Sequence, residues 1–114
     1  MEKIFISQPI NGKTKEEIQE ARMKAIQEIV TNVNEQAVIL DSWINEEPPS
    51  GVNPGIWYLG KSLETLSKAD YIYMVDGWED YRGCVFEHDI ALEYGLTVIT
   101  SHEGSDSNDE PSGN

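Results

Sequence analysis

The sequence predicts an α/β fold: a three-layer, Rossmann-like (flavodoxin-like) sandwich around a four-stranded parallel sheet in the order 2-1-3-4. Two observations carry this expectation. Four short apolar runs, KIFI, AVIL, YIYMV and TVI, are continuous rather than alternating and rich in β-branched and aromatic residues, as strands covered on both faces are. The segments between them carry helical spacing, and a β-α-β-α-β-α-β alternation with right-handed crossovers closes as a parallel sheet between helical layers.

After the first strand, Thr14 and Glu17 form an S/T-x-x-E capping box, and Ile18, Ala21, Ala25, Ile26, Ile29 and Val33 recur at helical spacing, which predicts a first helix. The second crossover opens with DSWINEEPPSGVNPG, whose prolines and glycines forbid regular structure. Ile56, Leu59, Leu63 and Leu66 then mark a shorter helix. An irregular loop this long in a small domain is usually functional or disordered, and Trp43 and Trp57 favour a packed lid. The third helix follows YIYMV. With Gly83 at zero on a helical wheel, Ile90, Tyr94, Glu87, Ala91 and Cys84 share an arc of roughly 120°, leaving His88, Asp89, Leu92 and Glu93 for solvent.

A chain of 114 residues has the core for one small domain. It holds a single cysteine, which rules out an internal disulfide. It shows no secretory segment and no apolar run of transmembrane length, so a cytoplasmic protein without a membrane partner is expected. The formal charge of −13 argues against a surface that neutralises duplex nucleic acid. SHEGSDSNDEPSGN, residues 101–114, carries four acids and almost no apolar side chain. It cannot offset its ordering entropy and is expected to be a disordered acidic tail.

In open α/β sheets the ligand lies beyond the carboxyl ends of the strands, where the winding direction reverses, here between the first and third strands. That rule selects SQPING (Ser7, Gln8, Pro9, Ile10, Asn11, Gly12), DSW (Asp41, Ser42, Trp43) and DGWEDYRG, which contains Asp76, Gly77, Trp78, Arg82 and Gly83. Glu87 falls in the middle of the third helix's buried arc, one turn in and beside this crevice. Burying an unpaired charge costs several kcal/mol, so such a carboxylate is paired, protonated or open to a cavity. Facing a cavity, it suits acid–base or nucleophilic work. Arg82 and the amino terminus of this helix supply positive potential nearby; a surface ion pair with Glu79 or Asp80 is the other reading of Arg82. Asp41, Asp76, Asp80 and Glu87 form no recognisable metal motif. Cys84 and His88, spaced i, i+4, are too few for a zinc site, and Cys84 reads as a packed thiol. No cofactor or metal is expected.

KIFISQPINGKT, LGKSLETLSKADYIYM and GWEDYRGCVFEHDIALEYG, taken together and in this order over residues 3–100, resemble the small phage and bacterial proteins related to nucleoside 2-deoxyribosyltransferases. The resemblance implies a deoxyribosyltransferase-like domain over residues 1–100. It further implies cleavage or transfer of the N-glycosidic bond of a 2′-deoxynucleoside or its monophosphate. GCVFE is similar to the family's G-x-x-x-E turn, which makes Glu87 the nucleophile that attacks C1′. Two supporting positions depart from the family pattern: Ser62 stands where relatives often have an aspartate, and Tyr81 where they have an acid or a phosphate-binding serine. Asp76 and Asp41, at strand ends, are candidates to replace those acids. Trp57 or Trp78 is expected against the base, with Arg82 or the third helix's amino terminus near a phosphate. Relatives assemble, so a homo-oligomer is expected. The competing expectations are a nucleotide sensor without turnover and a catalytically silent acidic protein-binding module, such as a phage-encoded inhibitor of a host defence protein. The negative charge and the aromatics Trp43, Trp57, Trp78 and Tyr81, taken as exposed, would suit that module.

Overall fold

The computed structural model describes residues 2–101. In chain order the elements are β1 (Lys3–Ser7), α1 (Lys15–Asn32), β2 (Val38–Ile39), α2 (Pro54–Leu66), β3 (Tyr71–Met74), a single 3-10 turn (Trp78–Asp80), α3 (Arg82–Glu93) and β4 (Thr97–Thr100). The four strands form one sheet in the order β2-β1-β3-β4, every neighbouring pair parallel. The expected fold class is therefore the observed one. β2 is the element that shrinks, with only two residues of AVIL in the ladder. At the sheet edge it is held by β1 through Val38 N–H to the Glu2 carbonyl and Leu40 N–H to the Ile4 carbonyl.

Side chains alternate across a strand with a period of two, and this period sorts the core into two layers. Ile4 and Ile6 of β1, with Tyr73 of β3, pack against Ala25 and Ile29 of α1. Phe5, Ile72 and Met74 point the other way, onto Leu66 of α2 and Cys84 and Ala91 of α3. Ser7 is in phase with Phe5, so the last side chain of β1 is directed towards α2 and α3.

α1 begins where the capping box places it. The Thr14 hydroxyl accepts from the Glu17 N–H at 3.1 Å while a Glu17 carboxylate oxygen accepts from the Thr14 N–H at 2.9 Å. α2 starts with the Asn53 side chain accepting from the Ile56 N–H and Pro54 at its first position, where a missing N–H costs nothing. Two residues assigned to buried stripes lie outside them. Ile56, in the first turn of α2, is exposed, and Tyr94 is 78% exposed because α3 has already ended there. The acidic tail lies outside the described residues except for Ser101, whose N–H donates to the Met74 carbonyl at 3.0 Å and extends the β3–β4 ladder by one residue.

This layering ranks two substitutions. Ile72→Ala, at a fully buried site between β1 and α3, should cost about 2–5 kcal/mol, and Thr14→Ala, which removes one cap, about 1 kcal/mol. Urea unfolding of both variants checks the order; equal losses would contradict it.

Candidate functional site

Three polar side chains interrupt the apolar stripes of three different elements, and the fold brings them together. Ser7, 1% exposed, ends β1. Glu87, 8% exposed, lies between Cys84 and Ala91 on the buried stripe of α3. The Ser7 hydroxyl donates to Glu87 Oε1 at 2.6 Å. Ser62 stands on the inner face of α2, beside Leu59, Leu63 and Leu66, and lines the same cavity as the carboxylate. Burial pushes the Glu87 pKa above its ordinary value of 4.5, and the Ser7 hydroxyl, with a smaller effect from Ser62, partly offsets that rise by favouring the charged form.

Glu87 opens onto a cavity of about 360 Å³, within the roughly 300–1,000 Å³ range of small-molecule sites. Its floor is Phe5 and Ile6 of β1, with Gln8 and Ile10 from the following segment. One wall is α1, through Lys15, Ile18, Gln19 and Arg22; Ser62 and Glu87 come from α2 and α3 in the opposite layer. Ser42 and Trp43 of the long loop cover the β2 side. The Gln8 amide donates to the Ile18 carbonyl at 3.0 Å, and Arg22 Nη2 donates to the Leu40 carbonyl at 3.1 Å. Both side chains are thus fixed to backbone at the cavity edge.

The sequence-selected residues divide sharply. Glu87, Gln8 and Ser62 line the cavity, and Ser7 reaches it through the carboxylate. Pro9 is buried, while Asn11 and Gly12 form the exposed tip of a turn closed by Lys13 N–H to the Ile10 carbonyl; the φ of +80° at Gly12 explains that glycine. Asp41 does not line the cavity but orders the residues that do, its carboxylate accepting from the Trp43 N–H at 3.1 Å. Trp43, 55% exposed, sits at the mouth.

Of the two tryptophans expected to form the lid, Trp57 instead packs beside Tyr58 and under the Lys61 ammonium, which also pairs with Glu46 of the loop at 2.9 Å. The loop after β3 turns away from the cavity. Gly77 adopts a φ of +88°, and Trp78 then stacks on the His88 ring at a centroid distance of 4.4 Å. His88, assigned to the solvent side of the helix, is covered by this contact. Trp57, Trp78 and Tyr81 are half-buried rather than exposed.

Asp76 lines a separate concavity against α1, and Arg82 and Gly83 lie exposed on the first turn of α3. Among the described residues no three His, Cys, Asp or Glu side chains gather as a metal-ligand group. Burial pushes the Cys84 thiol up to about 11, against a partly opposing hydrogen bond with Ser7, so the thiol stays protonated at neutral pH. The cavity residues that the sequence reading passed over are Lys15, Gln19 and Arg22. Their only sequence signal was polar residues recurring at i, i+4 and i+7 of a helix, which a solvated face shows equally.

The family model described as "Domain of unknown function (DUF4406)" matches residues 2–100. The chain belongs to this family. The match takes in every strand and helix and all of the cavity lining. No curated protein and no solved structure matches the chain. Among the described residues no helix is long and apolar enough to cross a membrane.

The raised Glu87 pKa has a measurable consequence for stability. A carboxyl whose folded pKa lies above its unfolded value contributes most to stability below about pH 4.5, and that contribution is lost as pH rises through the folded pKa. Glu87→Gln cannot ionise, so it should gain in Tm over the native chain as pH increases from 4.5 and level off above the folded pKa. Thermal unfolding from pH 4 to pH 8 checks this, and a difference independent of pH would contradict the assigned burial.

Proposed function

We propose that the cavity binds a 2′-deoxynucleoside or its monophosphate and that Glu87 cleaves or transfers the N-glycosidic bond as the nucleophile. The single observation that carries this reading is a carboxylate buried in an apolar stripe yet open to a ligand-sized cavity, with one oxygen held by Ser7. A carboxylate built only for packing would spend its lone pairs on backbone N–H groups. The Ser7 hydroxyl on β1 instead fixes its direction and favours its ionised form against the effect of burial.

In the proposed reaction a Glu87 oxygen forms a bond to C1′ as the C1′–N bond breaks, and the base departs with the bonding electrons and takes up a proton. Water or a second base then attacks C1′ and frees the carboxylate. The positive character that develops at the sugar carbon is stabilised by an anionic group at short range. The likeness of GCVFE in this chain to the G-x-x-x-E turn of the deoxyribosyltransferases is the second support.

The competing reading, a protein-binding module, draws on the exposed apolar side chains Trp43, Ile56 and Phe86. Base release from a panel of deoxynucleosides and 5′-monophosphates separates the two. Glu87→Gln should abolish release, by at least ~10³-fold, while retaining ligand binding, because the amide keeps the shape but is no nucleophile. Glu87→Ala, assayed alongside, separates lost chemistry from lost packing. Undiminished release in Glu87→Gln would overturn the assignment.

A further inference from the structure

Among the described residues, Lys15 and Arg22 are the two cations lining the cavity, in a chain whose formal charge is −13. The general field of such a protein repels anions, so any anion that binds must be drawn by charges close to the site. Lys15, Gln19 and Arg22 stand one above another on the cavity face of α1, with Ile18 between them as the apolar contact. Arg22 is held in place by its bond to the Leu40 carbonyl at the end of β2. That bond uses one of the five N–H donors of a guanidinium.

Lys15 is the first residue of an 18-residue helix, where the positive end of the helix dipole adds to its charge. The acids of this first turn, Glu16 and Glu17, do not line the cavity, and Glu17 is occupied by the Thr14 N–H. Among the described residues the one acid that does line it, Glu87, enters from α3 across the sheet. The cavity therefore carries positive charge along α1 and negative charge on the opposite layer.

We infer that the α1 wall is an anion subsite, with Lys15, Gln19 and Arg22 receiving the 5′-phosphate of the ligand, so that the protein selects a deoxynucleoside 5′-monophosphate over the nucleoside. This rests on the reading of the cavity as a deoxynucleoside site. A phosphate on α1 and a sugar carbon at Glu87 occupy the two layers that the cavity joins, which matches a ligand whose anionic group and reacting centre are at different positions. The subsite differs from the expected one: Arg82 lies exposed on α3 and does not line the cavity. Arginine and lysine bind phosphate through charge-assisted hydrogen bonds, and Gln19 supplies a neutral donor between them.

Isothermal titration of the full chain against each deoxynucleoside, its 5′-monophosphate and 2-deoxyribose 5-phosphate tests the inference, with base release measured on the same samples. The monophosphates should bind more tightly than the nucleosides and lose affinity as salt is raised. Lys15→Gln and Arg22→Gln should each weaken monophosphate binding roughly tenfold, more than they weaken nucleoside binding, and Lys15→Glu should weaken monophosphate binding further. Lys15 is exposed, so its variants keep the test valid if loss of the Arg22–Leu40 bond disturbs folding. Equal affinity for nucleoside and monophosphate, or Lys15→Glu without effect, would overturn the subsite. Base release with no phosphate preference would leave Glu87 chemistry standing without the subsite. Phosphate-dependent binding without base release would do the reverse, and binding of none of these ligands would remove both.

Discussion

The hydrogen bond from Ser7 to Glu87 joins the end of the central strand to the first turns of the last helix, and the site depends on it. A carboxylate at 8% exposure carries a desolvation cost of several kcal/mol unless partners compensate it. Its bonded partner is a hydroxyl supplied by another element, Ser7 of β1, and Ser62 of α2 lines the same cavity. The position of Ser7 follows from the two-residue alternation that also directs Phe5 onto α3. That of Ser62 follows from the helical stripe that carries Leu59, Leu63 and Leu66 to the sheet. A slip of one residue in β1 would aim the serine at α1 and leave the carboxylate without its closest partner.

The sheet order then decides which surfaces face this carboxylate. β1 lies between β2 and β3, with α1 on one face and α2 and α3 on the other, so the segment after β1 emerges between the two layers. The loop after β2 folds back over that gap, tied by the Asp41 turn at one end and by the Glu46–Lys61 pair further along. The loop after β3 packs on α3 instead, because the left-handed Gly77 delivers Trp78 to the His88 ring. The cavity is accordingly asymmetric, built towards β2 and α1 rather than centred between the first and third strands.

Much of this was legible in the sequence. Continuous apolar runs and helical spacing predicted the strands, the helices and their order, since each is a local pattern enforced by burial. Glu87 was legible for the same reason, being a charge inside an apolar stripe. The α1 wall was not. Lys15, Gln19 and Arg22 look like any solvated helix face, and only the tertiary approach of Ser42 and Trp43 turns that face into a lining. Trp78 was misplaced because the direction of the loop after β3 depends on one glycine's φ and on a stacking partner three turns of sequence away. The proposed role of Glu87 as nucleophile comes from the likeness of GCVFE to a G-x-x-x-E turn; burial alone favours the neutral carboxyl, and the Ser7 hydroxyl works against it by bonding the charged form.

Intact-protein mass spectrometry of the native chain, quenched during incubation with 2′-deoxynucleosides and their 5′-monophosphates, tests the role of Glu87 most directly. A covalent 2-deoxyribosyl or 2-deoxyribosyl-phosphate adduct, mapped by proteolysis to the peptide containing Glu87, is the expected result. Base release accompanied by an adduct on any other residue, or by none at any quench time, would contradict Glu87 as the nucleophile.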